Sequence, residues 1–257
     1  MRTVRVMRYV TPLREGGSLP AIVEADDSGL YVLKFRGAGQ GRKALVAELL
    51  VGELARSLGL QVPEIVLAEL DPVLGRNEPD SEIRELIKSS AGLNLGLDYL
   101  PGSLMYDPLA GDPLDAKLAS EIVWIDALTM NVDRTAKNPN LLSWHRRLWL
   151  IDHGAALYFH DDWPRAAASA QGAFPAIRDH VLLAKASELR EVDERLRPRV
   201  VEAAAAAVRE LPDLWLEGEP GFPGAAAVRE AYRAWFEARA AATPFLDEAL
   251  RARAQLV

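Results

Sequence analysis

The hydrophobic period changes along this chain, and that change limits the folds open to it. In the first part apolar side chains recur at every second position: VRVMRYV (Val4–Val10), AIVEA (Ala21–Ala25) and LYVLKF (Leu30–Phe35). Period two marks half-buried strands. The turn-forming stretches TPLREGGSLP and DDSG separate them, so three short antiparallel strands are expected. From Lys43 to Leu58 the period becomes helical. Leu45, Leu49, Leu54 and Leu58 fall near one face, and Gly59 is placed to end the helix. A β-like run follows at Glu64–Leu70. The acidic, Pro-containing stretch from Asp71 reads as a solvated loop that turns weakly helical by Ser90. LNLGLDYLPGS (Leu93–Ser103) alternates again at Leu93, Leu95, Leu97 and Tyr99, then stops at Pro-Gly.

Beyond Ser103 the pattern is helical. Asp115–Met130 reads as an amphipathic helix capped by Asp115, and LWLID (Leu148–Asp152) as a short buried strand. From about Ala184 onward only helices are expected, with a break at EGEPGFPG (Glu217–Gly224). The fold class expected is α+β and bilobal. Residues 1–100 would form a small β-rich lobe with one helix, and residues 101–257 a larger, mainly helical lobe.

Composition removes several functions. The chain has no Cys, which excludes disulfides, thiolate catalysis and Cys-ligated zinc. Its formal net charge of −7 argues against nucleic acid as the main partner. No apolar run approaches the roughly 18 residues of a membrane span. The N-terminus lacks the order of a signal peptide, so a cytoplasmic protein with no membrane partner is expected.

Three features carry chemistry. Lys34 lies in a strand between Leu33 and Phe35, and a buried ammonium needs a carboxylate partner. Glu48, in a mostly apolar helical turn, and Glu53 are the candidates. A strand Lys paired to a helix Glu beside a Gly-rich hairpin holds nucleotide phosphates in kinases. The hairpin here is REGGSLP, where Gly16, Gly17 and Ser18 leave backbone N–H groups free to approach an anion. The second feature is MNVDRTAKNPNLL (Met130–Leu142). Asp133 and Asn138 have the spacing at which one residue accepts a hydroxyl proton and the other holds Mg²⁺. Lys137 can neutralise charge on a phosphoryl group in transfer. The third is Asp152, at the end of a buried strand, where a carboxylate needs a cation. Mg²⁺ shared between Asn138 and Asp152 satisfies both with hard oxygen ligands.

N-x-D-x-x-x-K-N (Asn131, Asp133, Lys137, Asn138) followed by I-D-x-G (Ile151, Asp152, Gly154) resembles the HipA-like kinases. So does Glu48 followed by Leu54-Ala55, Leu58-Gly59-Leu60 and Val62-Pro63. The D-R-x-x-x-N and I-D-x-G pair is also similar to loops of phosphatidylinositol 3-/4-kinases. The resemblance runs from about Tyr9 to Leu157. It implies a two-lobed kinase using ATP and Mg²⁺, with a protein Ser/Thr hydroxyl as the acceptor. Alternatives of the same fold are a small-molecule or lipid-headgroup kinase and a nucleotide-binding pseudokinase. By resemblance Lys34 contacts phosphates, Asp133 is the base, and Asn138 and Asp152 hold metal. Leu97, Asp98, Tyr99 and Leu100 would form the hinge that reads adenine. His153 takes the slot of the middle residue of the kinase Asp-Phe-Gly. Thr135 departs from the family pattern, which often has His there. Arg134 and Thr135 have no role in this reading.

Overall fold

Each period-two run becomes a strand. The computed structural model describes residues 1–13, 19–39, 41–76, 78–110 and 114–256. Strands β1 (Thr3–Pro12), β2 (Ala21–Ala25) and β3 (Leu30–Lys34) form the expected antiparallel meander. β4 (Ile65–Leu70) and β5 (Gly92–Asp98) close it. β5 pairs antiparallel with β3 and β4, and β4 runs parallel to β1. The product is a closed five-stranded barrel in the order β1-β2-β3-β5-β4. Closure leaves no unpaired sheet edge.

Strand alternation sorts side chains between two cores. Val4, Val6, Val23, Leu33, Val66 and Ala68 belong to the barrel's own core. Ile65, Leu95 and Leu97 instead join a larger core with helix α1 (Gly41–Leu58) and the later helices. The barrel interior is narrow at Gly96, opposite Leu33 and Val66, where a Cβ would lie 2.9 Å from Val66 Cγ2. Asn94 is buried on the same strand. It accepts from the Arg36 N–H and donates to the Ser90 and Gly92 carbonyls, each at 2.8 Å.

Three expectations are corrected. One helix is expected before residue 100, and the structure has two, because α2 (Ser81–Ser89) follows α1. The expected loop is largely exposed, and two of its carboxylates are helix caps. Asp71 accepts from the Val73 N–H at the turn Pro72–Gly75, and Asp80 accepts from the Glu82 N–H at the start of α2. Ile83 and Ile87, one turn apart, then reach the barrel core. Second, α3 (Ala116–Thr129) is capped by Asp115 as expected but is not amphipathic. From Ala119 to Thr129 every residue but Glu121 is buried. Helices α5 (Leu189–Leu196) and α9 (Pro244–Ala254) pack against it, and a helix apolar all round belongs in a core. Third, the strand expected at LWLID is present over Arg147–Leu150, but it is one arm of an unexpected hairpin. Among the described residues β6 (Leu104–Met105), β7 (Leu141–Trp144) and β8 (Arg147–Leu150) form a second sheet. The β7–β8 turn is His145-Arg146, with φ of 47° and 61°. Such turns usually announce themselves by Asn-Gly, and this one does not.

The rest is helical, as expected: α4 (Ala166–Ala170), α6 (Val200–Glu210), α7 (Asp213–Leu216) and α8 (Ala225–Ala241) join α5 and α9. The alanines of α6 let it pack against both α1 and α8. The Glu217–Gly224 break separates α7 from α8. Among the described residues no helix is long and apolar enough to cross a membrane.

One buried side chain gives a pH dependence. His160 Nδ1 lies 2.9 Å from the Tyr232 hydroxyl. Burial, helped by the nearby Lys43 ammonium, lowers its pKa to about 3. An unfolded His titrates near ~6.5. The unfolded chain therefore takes up the proton first as the pH falls below that value. The stability His160 contributes is whole above ~6.5 and shrinks as the pH falls towards 3. At pH 5 the loss is about 2 kcal/mol. Urea unfolding at pH 7 and pH 5 should show a smaller loss in His160→Gln than in the wild type. Equal losses would contradict this.

Candidate active site

β3 alternates Leu33 into the barrel and Lys34 out towards α1. Lys34 Nζ donates to Glu48 Oε2 and to Asp152 Oδ1, each at 2.7 Å. Glu48 is fully buried. Glu53, the other candidate, pairs with Arg56 at 3.5 Å instead. Burial alone would lower the Lys34 pKa, but the two carboxylates more than reverse this and raise it. Burial would likewise raise Glu48, yet Lys34 and His153 hold its carboxyl well below the usual range. Glu48 Oε2 also accepts from the His153 N–H at 2.7 Å, so the α1 carboxylate fixes the chain just past Asp152. His153 itself is fully buried.

Asp152 is not buried as expected. Its side chain is 47% exposed. The cation that answers it in this structure is Lys34. Its φ of 56° lies in the left-handed region, which costs a non-glycine residue energy and turns it off the line of β8.

The loop Met130–Leu142 begins where α3 ends, with Met130 at φ 59°. Asp133 Oδ2 accepts from Asn138 Nδ2 at 2.8 Å and from Asn140 Nδ2 at 3.2 Å. The Asp133 N–H donates to Asn131 Oδ1 at 3.1 Å. The Asn138 amide nitrogen is thus committed inward, and its carbonyl oxygen is left for another partner. Lys137 is exposed and makes no ion pair among the described residues.

Arg134 and Thr135 now have structural roles. Arg134 is buried and donates to Asp126 Oδ2 at 2.5 Å, to the Asn140 carbonyl, and to the Ile151 carbonyl at 3.3 Å. The Ile151 N–H in turn donates to the Asn140 carbonyl at 3.1 Å. One guanidinium therefore staples the Asp133 loop to the residue before Asp152. The Thr135 N–H donates to the Asp133 and Asn138 carbonyls, both at 3.0 Å, closing the loop on itself. Asp126 escapes the sequence reading. Its signal is a single carboxylate inside the apolar run EIVWIDAL.

The structure thus brings Lys34, Glu48 and Asp152 into direct contact, and Asp133 with Asn138, with Arg134 joining the two groups. A recess beside them is lined by Lys34, Ala38, Gly41, Ala44, Asp152 and Gly154. In the hinge stretch Leu97 and Leu100 are buried. The Asp98 N–H is bonded to the Glu64 carbonyl at 2.8 Å and the Tyr99 N–H to the Leu30 carbonyl at 2.9 Å. Gly16, Gly17 and Ser18 lie outside the described residues.

None of the curated proteins matches the chain. Its structure is similar to that of the Helicobacter pylori proinflammatory kinase CtkA, with 13% identity and a TM-score of 0.58 over 99% of this chain and 98% of that one. It is also similar to two structures of the Golgi casein kinase, one with Mn/ADP bound. Each gives 12% identity and a TM-score of 0.54 over 98% of this chain and 74% of that one. At such identities the likeness is one of fold. Residues 6–232 match the family model described as HipA-like kinase, a span holding Lys34, Glu48, Asp133, Asn138 and Asp152. The chain belongs to the HipA-like kinases, a family of phosphotransferases.

Proposed function

We propose that the chain transfers the γ-phosphoryl group of ATP, with Mg²⁺, to a Ser or Thr hydroxyl of a protein. The observation that carries this reading is the Lys34 ammonium held at 2.7 Å from both Glu48 and Asp152. A charged Lys fixed by a buried Glu suits nucleotide phosphates, and the half-exposed Asp152 suits a cation beside them. Residues 1–100 and 101–257 would act as two lobes about Leu97–Leu100, where backbone groups other than the bonded Asp98 and Tyr99 N–H would read adenine. Gly16, Gly17 and Ser18 would cover the phosphates. The donor set fits Mg²⁺, since a carboxylate and an amide oxygen are hard ligands and the Asn138 nitrogen is already engaged. Bound there, the ion would neutralise phosphate charge. Asp133 would orient the acceptor hydroxyl and take its proton, and Lys137 would face the phosphoryl group from solvent. The Golgi casein kinase, solved with Mn/ADP, supports nucleotide and divalent metal use, and its name supports a protein acceptor.

Calorimetric titration with ATP, with and without Mg²⁺, tests the metal assignment. Mg²⁺ should tighten ATP binding in the wild type. Asp152→Asn should lose that gain, because perturbing even the surroundings of a metal ligand costs about 10–100-fold in affinity. A variant that keeps the full Mg²⁺ enhancement would remove Asp152 from the metal site.

A further inference from the structure

Behind the Asp133 loop lies a second network that phosphoryl transfer does not use. Asp126 is fully buried in α3, and its carboxylate receives three donors. Asn131 Nδ2 reaches Oδ1 at 3.0 Å, Arg134 Nε reaches Oδ2 at 2.5 Å, and His180 Nε2 reaches Oδ2 at 3.0 Å. Burial would raise the Asp126 pKa, but Arg134 and His180 hold it far below the usual range. His180 comes from the chain just after the turn Pro175–Asp179, far from the loop in sequence. Its other ring nitrogen, Nδ1, accepts from the Leu182 N–H at 3.0 Å.

That pair of bonds fixes the chemistry of the ring. A nitrogen that accepts carries no proton, so the proton sits on Nε2 and is donated to Asp126. A cationic ring would set two N–H groups against each other at Leu182. Burial and Arg134 lower the His180 pKa and outweigh the opposing pull of Asp126, in keeping with a neutral ring. The backbone around His180 is also joined to the loop. The Val181 N–H donates to the Arg134 carbonyl at 3.1 Å, and Thr135 and His180 form an isolated antiparallel bridge.

We infer that His180 is a positioning residue for the catalytic loop, a neutral donor that seats Asp126 against Arg134 and so holds the Asp133 and Asp152 segments in register. The inference rests on the roles proposed above for those two residues. Arg134 reaches the Asn140 and Ile151 carbonyls only from the place Asp126 gives it. Oδ2 of Asp126 is shared between Arg134 and His180. A buried ion pair with an incomplete set of partners is poorly held. Without the imidazole, the carboxylate loses a donor and the 175–183 segment loses its seat on the loop.

The test compares the wild type with His180→Leu, which removes the donor, and His180→Gln, which keeps a side-chain N–H. Nitrogen-15 NMR of the wild type should show a neutral ring protonated on Nε2 near pH 7. His180→Leu should lose hydrogen-exchange protection at the Thr135, Ile151 and Val181 amides and lose turnover by about 10²-fold, the scale of a slightly misplaced catalytic group. Its affinity for ATP without Mg²⁺, which rests on Lys34 and Glu48, should stay near that of the wild type. His180→Gln should recover most of both losses. A cationic or Nδ1-protonated ring, or unchanged exchange in His180→Leu, overturns the inference. Protection lost with turnover intact supports the positioning role and counts against Asp133 as the base. If His180→Leu does not fold, the wild-type tautomer and the His180→Gln exchange pattern still decide.

Discussion

Asp133→Asn lowers turnover by about 10²–10⁴-fold, the range a general base supplies, and leaves MgATP affinity unchanged. The geometry separates the two effects. Asp133 Oδ2 is held by the Asn138 and Asn140 amides, so the carboxylate plane is fixed before an acceptor arrives. Its other oxygen is the one left to take a proton. An Asn there has nearly the same shape but no basic oxygen. One of its faces would also set an N–H against the two amides that now donate. Lys34 is bonded to Glu48 and to Asp152, and neither bond involves Asp133, so the phosphate-binding side should be untouched. Initial rates and calorimetry on the same preparation check both halves. Turnover within a few-fold of the wild type would sink the assignment.

Arg239→Leu destabilises the chain by about 3–5 kcal/mol, since several buried carbonyls lose their donor at about 1–3 kcal/mol each. Arg239 is fully buried, and its hydrogen bonds go to carbonyls rather than to a carboxylate. It donates to Ala127 at 2.8 Å and Leu128 at 3.0 Å, at the end of α3, and to Ser169, Ala170 and Gly172 around the end of α4. The last carbonyls of a helix have no partner within it, and its C-terminal dipole favours a cation. At α3 all of them are met. The Met130 and Asn131 N–H groups take Asp126, Arg239 takes Ala127 and Leu128, and the Leu157 N–H takes Thr129. Burial lowers the Arg239 pKa to about 10, and the guanidinium remains charged at neutral pH. Leu fills the space and leaves these carbonyls unmet. Lys should rescue little, because one ammonium cannot span both helix ends as the planar fork does. Urea unfolding measures the loss. A change below about 1 kcal/mol would mean that water replaces the side chain.

The parts of the site legible in the sequence were those whose neighbours contradict them. Glu48 stands out among apolar residues, and Lys34, which alternation places on the strand face opposite Leu33 and Phe35, gains meaning as its partner. The barrel strands were legible because alternation is local. What escaped depends on distance or on a backbone state that leaves no mark in residue type. Asp126 was absorbed into the apolar periodicity of α3. Its partner His180 lies more than fifty residues on, and no local rule joins them. β7 was hidden because a His-Arg turn carries no Gly or Asn. The apolar run before Asp152 predicts a buried carboxylate, whereas its left-handed φ turns it outward.

The central claim is phosphoryl transfer from this set of residues, and label transfer from γ-labelled ATP tests it most directly. Wild-type protein with Mg²⁺ and a catalytically dead Asp133→Asn copy as acceptor should place label on Ser or Thr. The Asp133→Asn protein alone should place none. A wild-type protein that binds MgATP, yet leaves the γ-phosphate on the nucleotide with every protein acceptor offered, would contradict the account.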